Sequence, residues 1–167
     1  HPPVLSPVTI LKPLKGVDRE LLENLRSFCR LDYPQLQFIF TLASPGDPAL
    51  AVLSQLKDEF PHLDIEIVVS KNRIGFNPKI NNLSNAGPFI KHSLLLMSDS
   101  DVSVKPDFLR RVSAHLVDPQ VALVTCFYQS SAPLGLWAHL EALSINAQFL
   151  PQAITAAVFG MRFAMGA

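Results

Sequence analysis

Short apolar runs alternate with amphipathic helical stretches along most of this chain, and that order limits the folds open to it. Val8-Thr9-Ile10-Leu11, closed by Lys12-Pro13, reads as a first strand. Asp18 is placed to cap a helix from Arg19 to about Arg30, with Leu21, Leu22, Leu25, Phe28 and Cys29 on one face. Gln37 to Leu42 is a second strand, ended by Ser44-Pro45-Gly46. Asp47-Pro48 then opens a helix in the preferred order, acidic N-cap before proline, and it runs to Phe60 with Leu50, Leu53 and Leu56 inward. Asp64 to Val69 is a third strand. A polar loop from Ser70 to Pro78 leads to a short helix around Ile80 to Ala86, and Leu94 to Met97 is a fourth strand. Lys105-Pro106-Asp107 begins a helix to about Val117, and Val121 to Cys126 reads as a fifth strand. Such spacing predicts an α/β fold with a parallel, doubly wound sheet. The continuously apolar strands agree, because a sheet covered on both faces has no polar side.

Bulk properties narrow the class. The chain has 167 residues, enough for one domain with a substantial core. It carries 14 basic and 14 acidic residues, so nothing in its charge favours nucleic acid. Hydrophobic residues make up 49% and charged residues only 17%, which is greasy for a soluble domain. Cys29 and Cys126 lie in separate apolar contexts and read as reduced core thiols, consistent with a cytosol-facing compartment. No run reaches the roughly 18 uninterrupted apolar residues of a membrane span, and no signal peptide is evident. The chain begins without Met and stops at Gly166-Ala167, as a piece of a longer protein would.

Composition changes near the end, which divides one incomplete domain into an α/β part, 1–131, and an apolar segment, 132–167. From Ala132 onward the only ionisable side chains are His139, Glu141 and Arg162. Asn146, Gln148, Pro151 and Gln152 interrupt the segment too often for a span. It reads either as a buried helix pair completing the core or as a segment at the membrane interface, and a mixture is favoured, part packed on the sheet and part facing lipid.

Ser98-Asp99-Ser100-Asp101 follows the fourth strand directly. Carboxylates at i and i+2 there both sit near the C-terminal edge of the sheet, where open α/β sheets bind ligands. About 5–6 Å apart at an effective dielectric near 20, two such anions repel by roughly 3 kcal/mol. A divalent cation that also holds a phosphate offsets that cost. A plain turn also accounts for Ser and Asp, and position after a hydrophobic strand favours the site. Asp47 has a similar double reading, as helix cap or as a carboxylate placed to meet a nucleoside.

The loop from Lys71 to Asn82 gathers Lys71, Arg73, Lys79 and several asparagines around Gly75 and Pro78, next to a helix N-terminus that favours anions. Lying just before the acidic strand end, it could converge on the same phosphate and metal, with Lys79 the best diphosphate contact. The other residues carry less. His62, His92, His115 and His139 lack metal-ligand spacing. Trp137 and Glu141, one helical turn apart, are expected to pack. Phe127 and Tyr128 either pack or line a pocket. No P-loop, Gly-x-Gly-x-x-Gly or Ser-His-Asp arrangement is present.

Several blocks resemble one family in order along nearly the whole chain. Val8 to Leu14 with Lys15-Gly16-Val17-Asp18, then Leu31-Asp32-Tyr33-Pro34, Asp47-Pro48-Ala49, Gly75 to Leu83 and Asp99-Ser100-Asp101-Val102 closely resemble ceramide glucosyltransferases and bacterial relatives that decorate hopanoid lipids. The Lys-Pro-Leu-Lys-Gly and Asn-Pro-Lys-Ile-Asn-Asn blocks are the most specific. The resemblance implies a GT-A fold in an integral membrane enzyme, its catalytic domain on the cytoplasmic face. It implies inverting transfer of a sugar, glucose by the family, from a UDP-sugar to a lipid hydroxyl. The family's first aspartate falls on Asp47 and its second on Asp99; Pro13, Lys79 and Asn81 join these two as expected nucleotide-sugar contacts. Asp101 stands where animal ceramide enzymes have Gly, which suggests a bacterial-type member and leaves the acceptor open, ceramide or a hopanoid.

In this picture Asp99 and Asp101 hold Mg²⁺ or Mn²⁺. The catalytic base and a Gln/Arg-x-x-Arg-Trp motif are expected after Ala167, so these 167 residues are not expected to turn over alone. Two rivals remain. One is a processive polysaccharide synthase of the same fold. The other is a non-catalytic membrane-peripheral module that uses the acidic pair only as a turn.

Overall fold

The computed structural model describes residues 5–130 and 135–161. Its strands are β1 (Val8–Pro13), β2 (Leu36–Leu42), β3 (Asp64–Val69) and β4 (Leu94–Met97), all parallel, in the order β3-β2-β1-β4. The helices are α1 (Leu21–Cys29), α2 (Ala49–Glu59), α3 (Pro78–Ala86), α4 (Phe108–Ala114), α5 (Leu136–Ser144) and α6 (Leu150–Val158). Residues 1–113 and 114–167 form two compact units.

Side-chain alternation explains how the sheet is covered twice. Val8 and Ile10 of β1, with Phe38, Phe40 and Leu42 of β2, pack against Leu21, Leu25 and Phe28 of α1 and Ala49, Leu53 and Leu56 of α2. The odd-numbered Leu11 and Ile39, with Val68, meet Leu83 and Ala86 of α3 in a second, smaller cluster. Pleating sends neighbours to opposite faces, so one apolar run serves both layers. The chain moves outward through β2 and β3, then α3 returns it across the sheet to β4 on the far side of β1. Strand order therefore reverses between β1 and β4, the point at which such sheets hold ligands.

A buried polar strap secures that return. Thr9 Oγ1 donates to Gln37 Oε1 at 2.7 Å, and Gln37 Nε2 donates to the Phe89 carbonyl at 2.8 Å. The Lys91 and His92 amides donate to Gln37 Oε1 and Thr9 Oγ1. The segment ahead of β4 is thus tied to both central strands before its own strand pairing begins.

Several sequence expectations need correction. Val121 to Cys126 is not a strand; among the described residues the sheet ends at β4. Its apolar run had strand composition, but the segment makes no ladder, and composition alone cannot supply a partner strand. Cys126 is exposed in this irregular segment, whereas Cys29 is buried in the core as read. β4 is not covered on both faces: Leu94 and Leu96 are partly buried, but Leu95 and Met97 are exposed, as an edge strand permits. Asp18 makes no side-chain cap; α1 begins at Leu21, and it is the Asp18 carbonyl that accepts the Leu21 amide. The polar loop's helix starts two residues early, at Pro78, because Asn77 Oδ1 accepts the amides of Lys79 and Ile80.

In the second unit, α5 and α6 are joined by a π turn at Ile145–Phe149. Pro151 has no amide to give the preceding turn, a common cause of such widening. Asn146 holds Ser130 through both of that residue's backbone groups, at 2.8 and 2.9 Å. Tyr128 rests on Phe149 with ring centroids 5.9 Å apart, so it packs. Trp137, expected to pack, is 82% exposed. Among the described residues no helix is long and apolar enough to cross a membrane.

One surface contact makes a pH-dependent prediction. Arg26 of α1 grips Glu59 of α2, Nε to Oε2 at 2.7 Å and Nη2 to Oε1 at 2.5 Å, and Gln55 donates to Oε1 at 2.8 Å. The Arg26 hydrogen bonds, then that from Gln55, hold the Glu59 carboxyl down to about 2 from its ordinary 4.5. A depressed folded value stabilises above the unfolded one and is lost as pH falls through the folded one. Glu59→Gln is therefore expected to melt below the parent at neutral pH. Thermal melts should show that gap closing between pH 4.5 and pH 2.

Candidate functional site

A cleft of about 430 Å³ opens at the C-terminal edge of the sheet, over the reversal between β1 and β4. Three segments build it. Pro13, Leu14 and Lys15, which continue β1, form one side with Asp18. Asn77, Pro78, Lys79 and Asn82, from the start of α3, form another. Asp99, Ser100 and Asp101, the turn after β4, complete it.

Asp99 is held by two lysines in different ways. Lys79 Nζ lies 2.5 Å from Asp99 Oδ1, with both side chains partly exposed. Lys12 instead donates from Nζ to the Asp99 carbonyl at 2.7 Å and to Ser98 Oγ at 3.2 Å. Lys12 has no solvent exposure, and its Nζ stands 3.6 Å from the centroid of the Phe28 ring. Burial pushes the Lys12 amine down to about 7, against the opposing pull of Asp99 and Asp101. Asp101 is exposed and makes no ion pair among the described residues.

Carboxylates are the donors that a hard divalent cation takes. Asp18, Asp99 and Asp101 are the carboxylates that line the cleft, and among the described residues no three His, Cys, Asp or Glu side chains group as a metal site would require. Magnesium and manganese accept such sparse protein ligation when phosphate oxygens and water fill the remaining positions.

Of the residues singled out in the sequence, the structure brings Pro13, Lys79, Asp99 and Asp101 to one cleft. Asp47 and Asn81 are not among its lining. Both Asp47 oxygens accept the Gly16 amide, at 3.0 and 3.1 Å, and Oδ1 also accepts the Ala49 amide at 3.0 Å. The carboxylate thereby caps α2 and braces the loop after β1, where Gly16 takes a φ of 71° that side chains resist. Asn81 is buried; its Oδ1 accepts the amides of Ile74 and Gly75 and its Nδ2 donates to the Gly75 carbonyl. It shapes the loop that precedes Lys79.

Lys12 escaped the sequence reading, as did the lining residues Lys15, Asp18 and Asn82. A signal for Lys12 was present. It continues the inward series Val8, Ile10, Lys12, and a lysine at the buried end of such a series needs a polar partner at the strand's exit.

The four-stranded parallel sheet flanked by helices has the fold of GT-A type glycosyltransferases. The same fold is found in a mannosyltransferase from Pyrobaculum calidifontis, solved in complex with GDP-Man and Mn²⁺. That likeness has a TM-score of 0.67 and 22% identity over 76% of this chain and 36% of that one. It recurs in TarS of S. aureus, solved with UDP-GlcNAc, at a TM-score of 0.60 and 16% identity over 78% of this chain and 36% of that one. The chain belongs to Glycosyl transferase family 21, whose family model matches residues 1–167. It is 35% identical over 114 residues to the ceramide glucosyltransferase of Komagataella phaffii and 33% identical over 105 residues to ceramide glucosyltransferase 1 of Caenorhabditis elegans. Those matches cover 66% and 63% of this chain but only 22% of each relative's length.

Proposed function

We propose that the whole protein transfers a sugar, with inversion, from a UDP-sugar to the hydroxyl of a membrane lipid such as ceramide or a hopanoid, with glucose as the sugar. The observation that carries this reading is the 2.5 Å contact of Lys79 with Asp99, beside Asp101, in a cleft at the reversal of a parallel sheet. An acidic pair and a lysine on facing walls can bind a diphosphate from two directions. The likeness to ceramide glucosyltransferases supports the lipid acceptor; in this reading the catalytic domain works at the cytoplasmic face of a membrane.

Each group has a task in this scheme. Asp99 and Asp101 would hold a divalent cation, Mg²⁺ or Mn²⁺, which when bound supplies charge stabilisation for the departing diphosphate. Lys79, paired with Asp99 at the cleft, would offer its ammonium to the diphosphate. Pro13 borders the donor from the β1 side. Asp47 contributes to nucleoside binding through the Gly16 loop that it braces, and Asn81 through the loop before Lys79. The acceptor hydroxyl attacks the anomeric carbon from the face opposite the diphosphate, the bond from that carbon to the diphosphate breaks, and the hydroxyl proton passes to a general base.

The test is product analysis with the full-length protein in lipid vesicles, supplied with UDP-glucose and ceramide or a hopanoid alcohol. A lipid glucoside of inverted configuration is expected by NMR. Elongating polysaccharide would favour the synthase rival, and no sugar transfer would favour the non-catalytic one.

A further inference from the structure

Lys12 stands where the sheet meets the cleft yet does not line the cleft. Among the described residues it is the only fully buried lysine or arginine. Burying an amine is costly unless hydrogen bonds repay the lost water. Its two hydrogen bonds both reach the acidic turn, to the Asp99 carbonyl and to Ser98 Oγ. The Ser98 amide donates to the Leu11 carbonyl at 3.2 Å, so β1 grips the turn through backbone and side chain at successive residues. A methionine would fill the same space with less desolvation, so what the amine adds is this hold on the turn.

We infer that Lys12 is a positioning residue: by fixing the Ser98-Asp99 backbone it sets where the Asp99 and Asp101 carboxylates stand, and so governs affinity for a divalent cation with a nucleoside diphosphate. The inference rests on the function proposed above. Lys12 touches no donor atom in this scheme; it acts through the turn alone.

The experiment uses the full-length protein with Mn²⁺ and UDP as probes. Calorimetry measures affinity, and hydrogen exchange follows the amides of residues 98–104 against those of β2. Lys12→Met is expected to weaken Mn²⁺-dependent UDP binding by about 10–100-fold, the usual range for groups that orient metal ligands. Exchange should quicken in the turn while β2 stays protected, the mark of local rather than global opening. Leu25→Ala, which loosens the same core but leaves both hydrogen bonds of Lys12 in place, should lower the melting temperature yet leave affinity within about twofold. A purely structural lysine would make affinity follow stability in both variants, and that result overturns the inference. So does a Lys12→Met protein with an unchanged turn or unchanged affinity. If Lys12→Met fails to fold, Ser98→Ala removes one of the two partners and carries the test: weaker binding with a looser turn supports the inference, and no change in either overturns it. Failure of the parent protein to bind UDP with Mn²⁺ would overturn the functional proposal itself, and is seen before any variant is made.

Discussion

Asp99→Asn is expected to lower kcat/KM for sugar transfer by about 10²–10³-fold, the cost of removing one preorganised group that stabilises transition-state charge. The substitution keeps the side chain's shape and one acceptor oxygen but removes the charge that a divalent cation and Lys79 both require. The fold should barely notice. The Asp99–Lys79 pair is partly exposed, and exposed pairs contribute about 0–1 kcal/mol to stability. Lys12 bonds to the Asp99 carbonyl, which the substitution leaves in place. Steady-state kinetics beside a thermal melt separates the two effects. A variant that loses activity only because it unfolds would contradict the assignment of Asp99 to the reaction.

Phe38→Ala is the counterpart in the core. Phe38 has no exposure, lies on the central strand β2, and its ring centroid is 6.2 Å from that of Phe40. Truncating a buried phenylalanine costs about 3–5 kcal/mol through lost transfer energy and the cavity left behind. For a chain of this size that corresponds to a melting temperature lower by roughly 6–20 °C. Phe76 offers the control, since it is fully exposed beside the cleft. Phe76→Ala should leave the melt within about 0.5 kcal/mol, as surface substitutions generally do. Equal losses in both variants would mean that the core is not where the sheet places it.

The parallel sheet was legible because its signals are local. Apolar runs at Val8, Phe38, Ile65 and Leu94, each bounded by Pro, Gly or Asp, announce strands whatever their partners. Val121 to Cys126 carried the same local signal without a partner strand, and a sequence run does not reveal whether a ladder is available. The acidic turn was legible because it follows a strand and so falls at the ligand-binding edge. Which site residues reach the cleft was less so. Asp47 and Asn81 are polar, near the edge and within family-like blocks, but their oxygens are engaged by backbone amides that only the folded chain brings near. Lys12 was hidden for the converse reason: in a greasy strand a lysine reads as the strand's end, and its partners lie 86 and 87 residues away.

The central claim is that a cation joins the acidic pair to a diphosphate, and thermal unfolding of the full-length protein tests it most directly. Melts are compared with UDP alone, Mn²⁺ alone, and both together. At a ligand concentration near one hundred times Kd, both together should add about 2.7 kcal/mol of stability, while UDP alone adds little. Asp99→Asn should erase that gain. Equal stabilisation by UDP with and without Mn²⁺, unaffected by Asp99→Asn, would contradict the account.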